Sequence, residues 1–205
     1  AHPSLQDQKG NMSPTDHEQN IEKTFRVSYQ QLDVADDVDE TALYILARAA
    51  CLAPNVPIPD NLLLTSSSQF KPSDDQKNEA LRRILELGLL EAEDDGLVLH
   101  LLLSQFIRKA NRDATHQDNA QTDIEIIIEQ QARKLNDTGF PARLLPLQPH
   151  LYHVTKQALV RRDFRQQRFV IASAIILFCS VIMLERNFIL NKILPFDAKS
   201  LEENI

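Results

Sequence analysis

The chain has 205 residues with 22 Lys+Arg against 29 Asp+Glu, a formal net charge of −7 at pH 7, which argues against a role built on gripping phosphate backbones. With 43% hydrophobic and 25% charged residues it reads as one ordinary globular domain or two small ones. Four glycines are too few for a doubly wound nucleotide fold or a closed barrel, and the wealth of Ala, Leu, Gln and Glu predicts a mainly α fold.

Residues 1–20 are polar, hold Pro3 and Pro14 and show no periodicity, so they are expected to be a flexible lead-in or the remnant of a preceding domain. No apolar run follows the first residues, as a secretory signal would require, and the expected location is cytoplasmic. His2 and His17 have no neighbours at metal-ligand spacing. Cys51 and Cys179 lie far apart in apolar surroundings without a CxxC pattern, which fits buried free thiols.

A first domain is expected over 21–112. Phe25, Val27 and Tyr29 run into a short helical or turn segment at 28–32. Asp33, Asp36, Asp37, Asp39 and Glu40 then form an acidic link that favours the start of the next helix. The glycine and the twelfth-position glutamate of a calcium loop are missing there. Leu43, Leu46, Ala47 and Ala50 predict a core helix over 41–52. Pro54, Pro57 and Pro59 predict a rigid loop. Asp60 is placed as the cap of a short helix over 61–64, and the serine-rich stretch 65–75 leads to a helix from about Gln76.

The stretch 79–108 organises this domain. Ala80, Leu81, Ile84 and Leu85 recur at helical spacing until Gly88 stops the helix. Leu89 and Leu90 open an extended run, Glu93-Asp94-Asp95-Gly96 reads as a tight turn, and Leu97-Val98-Leu99 returns as a second strand. His100 sits where that strand hands over to a helix ending near Arg108. Helix, strand, turn, strand and helix are the second half of a winged helix, with the hairpin as the wing. A winged-helix DNA regulator reading bases with helix 76–87 is one functional alternative. Against it, 21–112 carries 10 basic and 15 acidic residues, and the wing holds Glu91, Glu93, Asp94 and Asp95.

A helical hairpin connector is expected over 120–164. Ile124, Ile127, Ile128, Gln131 and Leu135 line one helix, and His150, Leu151, His153, Val154, Ala158 and Leu159 belong to another beyond Pro146 and Pro149. Two such helices cannot close a core alone and suit the entrance to a helical-repeat array. His150 and His153 share a helix face without a third ligand nearby, which favours packing or capping over a metal. In the tail, 165–205, the run 169–184 has 16 residues without a charge, between Arg161, Arg162, Arg165 and Arg168 on one side and Glu185 and Arg186 on the other. That is short of the roughly 20 residues a spanning helix needs. Three readings stand: a buried core helix, a membrane-inserted segment of a tethered adaptor, or a degenerate tail from a shifted reading frame.

Taken in order, several short pieces resemble one family. Thr24-Phe25 with residues 28–32, Ala53-Pro54, Ile58-Pro59 with Leu62-Leu63, residues 81–90, and residues 99–103 with Phe106-Ile107-Arg108 look like the arm and winged-helix region of NB-ARC proteins, the STAND-class switch ATPases. Residues 120–160, with Leu144-Leu145-Pro146 and Pro149-His150, look like the connector preceding tetratricopeptide repeats in bacterial members. The resemblance implies a role for His100, matching the histidine that reaches from the winged helix to the β-phosphate of bound ADP. The other reading of His100 is a cap at the strand–helix junction. Plant members often carry an aspartate after that histidine, where this chain has Leu101.

The ATPase part of such a protein is missing: no GxxxxGK[ST] loop occurs, and no apolar strand ends in paired acids for magnesium. The expectation is therefore no enzyme but a non-catalytic regulatory and scaffold segment. It would close on an ADP-loaded nucleotide-binding core, in cis or in trans, and relay to a helical-repeat sensor. ADP and ATP are implied for the parent protein alone, and the chain is expected to be a fragment of it.

Overall fold

A computed structural model describes residues 14–110, 115–138 and 141–161. The fold is mainly helical, with one small antiparallel hairpin. Its elements are α1 (Pro14–Tyr29), α2 (Asp37–Cys51), α3 (Asp60–Leu64), α4 (Asp74–Glu86), β1 (Glu91–Glu93), β2 (Gly96–Val98), α5 (Leu101–Ala110), α6 (Thr115–Asp137), a 3-10 segment Pro141–Leu147 and α7 (Gln148–Arg161). The segment α2 to α5 has a winged-helix-like shape, and α6 and α7 follow it.

Helix α2 is the centre. Asp36 caps it by accepting hydrogen bonds from Val38 and Asp39 N–H, and Asp37, Asp39 and Glu40 fill its first turn, where negative charge is favoured. The acidic link thus starts the helix earlier than the apolar pattern from 41 onward indicated. Every residue from Thr41 to Cys51 is buried, so α2 is covered on all sides instead of along one stripe. Ala42, Ala47, Ala49 and Ala50 let α4, α5 and α6 approach it closely.

Local chemistry explains the other boundaries. Ser73 and Gln76 make a reciprocal capping box, Ser73 Oγ accepting from Gln76 N–H and Gln76 Oε1 from Ser73 N–H, so α4 begins at Asp74 rather than near Gln76. At its other end Gly88, at φ +64°, closes a Schellman motif: Gly88 N–H donates to Leu85 O and Leu89 N–H to Ile84 O, each at 3.0 Å. Asp60 is the first residue of α3 and not its cap. Pro59 occupies the cap position, and no side chain bonds the helix start.

The hairpin pairs Glu91 with Val98, Ala92 with Leu97 and Glu93 with Gly96, leaving Asp94 and Asp95 as the loop. The proline-rich loop is more ordered than a spacer. Ile58 pairs with Leu97 across the hairpin, its N–H donating to Leu97 O at 2.7 Å and its carbonyl accepting from Leu97 N–H at 3.0 Å. Ile58 thus acts as a third strand one residue long. This pairing explains Gly96, which has φ +141° and where a Cβ would stand 2.4 Å from Ile58 O.

Helix α1 begins at Pro14, inside the stretch read as lead-in, and leans on α5. Helices α6 and α7 do not form a separate core. Ala120, Ile124, Ile128 and Ala132 of α6, and Leu151, Val154 and Ala158 of α7, join the same continuous cluster as Leu46, Leu63 and Ile107. Among the described residues, no helix is long and apolar enough to cross a membrane. The run 169–184 lies outside the described residues, as do Cys179 and His2.

Candidate functional site

The junction between β2 and α5 is built from both sides. Leu99 is buried and anchors the end of the strand, and its carbonyl accepts Asn55 N–H at 2.9 Å. Asn55 has φ +56°, a left-handed conformation that asparagine tolerates better than most residues. Its Oδ1 accepts Leu101 N–H at 3.0 Å. His100 immediately precedes α5. Its carbonyl accepts Ser104 N–H at 2.9 Å and its Nδ1 accepts Leu102 N–H at 3.1 Å. Two side chains, Asn55 and His100, therefore cap the N-terminus of α5 together.

His100 is thus a helix cap, with the imidazole doing what Asn or Ser usually does. Because Nδ1 is an acceptor, the neutral ring carries its proton on Nε2. His100 is exposed, and no partner for Nε2 is found among the described residues. Chemically this is a fixed N–H donor beside the positive end of a ten-residue helix, suited to an acceptor oxygen. The Phe25 ring of α1 flanks the imidazole, centroids 5.6 Å apart and planes at 44°.

A second constellation lies inside the molecule and joins the winged segment to α6. The Arg48 guanidinium donates to Asp123 Oδ2 at 2.7 Å, with both side chains essentially sealed from solvent. It also donates to Leu63 O at 2.8 Å and Thr65 O at 2.6 Å. Tyr44 OH and Ser67 Oγ donate to the same Asp123 oxygen, at 2.8 and 2.5 Å. Phe70 stacks on Tyr44 at 4.8 Å, and the Arg48 guanidinium carbon lies 4.4 Å from the Phe70 ring centre. Burial, and then the hydrogen bond to Asp123, pushes the Tyr44 phenol above its ordinary value, so it stays a neutral donor.

Two histidines tie α7 to its neighbours. His150 is fully buried. Its Nδ1 accepts Ala53 N–H at 3.2 Å and its Nε2–H donates to Pro57 O at 2.9 Å, which ties α7 to the loop after α2. Burial lowers its pKa, partly opposed by the bond to Pro57. His153 Nε2 instead accepts, from Arg108 at 3.3 Å and Gln157 at 2.9 Å. Burial, with Arg108 next, lowers its pKa to about 4. Arg108 also donates to Ala50 O and Gln157 Oε1, each at 2.6 Å, bridging α5, α2 and α7.

The face of α4 that a DNA reader would present is internally neutralised. Arg82 pairs with Glu79 and Glu86, and Arg83 reaches Asp39 at 3.4 Å and Gln31 O. Asp74 and Asp75 add negative charge to its first turn.

Of the residues singled out from sequence, the structure places His100 at an exposed capped junction and His150 and His153 in the seam between α7 and the winged segment. Arg48, Asp123, Asn55 and Phe25 as site members were not foreseen. A lone arginine within the apolar run 41–52 was the available signal, since a charge inside a buried helix has to be paired. Its partner stands 75 residues away, beyond any local pattern. No family model, no curated protein and no solved structure matches this chain.

Proposed function

We propose that this chain is a non-catalytic regulatory and scaffold segment of an NB-ARC-type switch ATPase, closing on an ADP-loaded core through His100 and passing the state of that core to a helical-repeat sensor. The observation that carries the reading is the fixed tautomer of His100 on the α5 cap, which offers Nε2–H to a phosphate oxygen at an exposed junction. The Arg48–Asp123 network supports the relay, because it fastens the connector rigidly to the winged segment. Residues 21–112 would then be the winged-helix domain and residues 120–164 the entrance to the repeat array. The nucleotide belongs to the core, supplied in cis or in trans, and the protein works in the cytoplasm.

The test is ADP affinity of an isolated ATPase core from an NB-ARC protein, measured with and without this chain. A gain in affinity supports the reading, and no gain ends it.

The winged-helix DNA-regulator alternative is disfavoured by the pairing of Arg82 and Arg83 with acids. Its test is a shift of duplex DNA at low salt. The membrane-tethered adaptor depends on 169–184, outside the described residues, and fractionation of the expressed chain into soluble material retires it.

A further inference from the structure

Helix α1 is held lightly. None of its residues from Ile21 to Tyr29 is fully buried, whereas α2 is buried on every side. Aromatic contacts join it to α5 and its cap. Phe25 lies against His100 at 5.6 Å, Tyr29 meets Phe106 edge-on at 5.4 Å, and the Arg26 guanidinium sits 5.6 Å from the Phe106 ring centre. Phe25 and Tyr29 stand one helical turn apart on α1, and Arg26 lies one turn before Tyr29, so one side of the arm makes these contacts. The first falls on the one exposed histidine that the α5 cap turns into a directed donor.

A cap made by imidazole has a weakness that a cap made by Asn or Ser lacks. Rotation about its side-chain bonds can draw the ring away from Leu102 N–H, and a ring released in this way is no longer held in one of its two neutral tautomers. Phe25 packs against the imidazole and opposes that rotation, while Asn55 keeps the end of α5 closed from the other side. The ring is thereby fixed by a hydrogen bond at one nitrogen and by a neighbouring aromatic ring.

We infer that Phe25 is a positioning residue for His100, and that α1 is an arm whose docking on α5 decides whether His100 presents Nε2–H as a directed donor. For its functional consequence this rests on the phosphate reading of His100 given above. With α1 docked, the donor is ready for a phosphate oxygen of bound nucleotide; with α1 displaced, the imidazole turns freely and the contact weakens. The arm precedes the winged segment in the chain, so a movement reaching α1 from upstream acts on the nucleotide contact through one aromatic pair.

The experiment uses the whole chain and two readouts. The first is nitrogen-15 NMR of the imidazoles, with His100 assigned by His100→Asn. Wild type is expected to show His100 in one tautomer, protonated at Nε2. Phe25→Leu is expected to give averaged tautomers and to lose the ring-current shift on His100, with core methyl signals of Ile84 and Leu103 unmoved. Phe25→Tyr restores both. An unchanged His100 tautomer in Phe25→Leu overturns the positioning role.

The second readout is ADP affinity of an added NB-ARC ATPase core, where Phe25→Leu is expected to lose roughly two- to tenfold, the range an aromatic pair supports. If His100→Asn lowers ADP affinity and Phe25→Leu leaves it unchanged, the arm's control is overturned and the phosphate reading stands. If neither variant changes ADP affinity while the tautomer responds to Phe25, the phosphate reading fails and the positioning role is upheld.

Discussion

Arg48 and Asp123, 75 residues apart in sequence, meet at 2.7 Å with side chains 0% and 3% exposed. The pair joins α2, the most enclosed helix of the winged segment, to α6, the first helix after it. Tyr44, Ser67 and two backbone carbonyls add hydrogen bonds to the pair, while the buried Arg48 Nε has no hydrogen-bond partner. Such a pair adds little net stability over well-packed apolar residues, but it fixes one arrangement of the two segments and penalises others.

Removing one partner is therefore much worse than removing both. Asp123→Ala strands a buried guanidinium and is expected to lower stability by about 3–5 kcal/mol in urea denaturation. Arg48→Met with Asp123→Leu is expected to recover part of that loss, since Tyr44 OH and the Leu63 and Thr65 carbonyls lose these partners. A double variant as unstable as the single one contradicts the account of this pair.

Acid should loosen the seam around α7. The folded pKa of His153 is about 4, below the ordinary 6.5. The unfolded chain then binds more protons between these values, so its contribution is fully present above pH 6.5 and is lost as pH falls toward 4. Buried His150 acts in the same direction. The urea midpoint is expected to drop across this window, and His153→Gln should flatten part of the slope. A midpoint that rises on acidification across the window would speak against the assigned neutral imidazoles.

The two glycines of the hairpin region should respond differently. Gly96→Ala drives a methyl to within 2.4 Å of Ile58 O at φ +141°, and is expected to cost about 2 kcal/mol or more as the Ile58–Leu97 pairing breaks. Gly88→Ala meets nothing within 4 Å and pays only for its φ of +64°, about 1 kcal/mol. Thermal denaturation of both variants gives the comparison. Equal losses would show that the close approach at Ile58 is not what selects Gly96.

Much of this fold was legible because its signals are local. Gly88 ends α4 through a backbone motif that glycine favours, the hairpin falls within the stretch read as strand, turn and strand, though its strands are only Glu91–Glu93 and Gly96–Val98 and omit Leu89, Leu90 and Leu99, and Ile124, Ile127 and Ile128 do face inward. What the sequence hid was long-range or crowded. Ile58 pairs with Leu97 across 38 intervening positions, and proline-rich composition masks a one-residue strand. The all-round burial of α2 depends on alanines whose neighbours come from α5 and α6, so periodicity shows one face of what is enclosed on all. For the site, the position of His100 at a strand–helix handover was visible. The cap through Nδ1, the help from Asn55 and the flanking Phe25 are tertiary facts.

Substitution can separate the cap that His100 makes from the phosphate contact proposed for it. His100→Asn keeps an acceptor for Leu102 N–H and should change stability by less than about 1 kcal/mol, while His100→Ala loses the cap and should cost about 1 kcal/mol. Both lose the Nε2–H donor.

The most direct test of the central claim is the rate at which ADP leaves an NB-ARC ATPase core in the presence of this chain, wild type against His100→Asn. Release is expected to be slow with wild type and faster by roughly 10- to 100-fold with His100→Asn, the loss of one hydrogen bond to a charged phosphate, at unchanged stability of the variant chain. Equal release rates with wild type and His100→Asn would contradict the claim that this chain closes on ADP through His100.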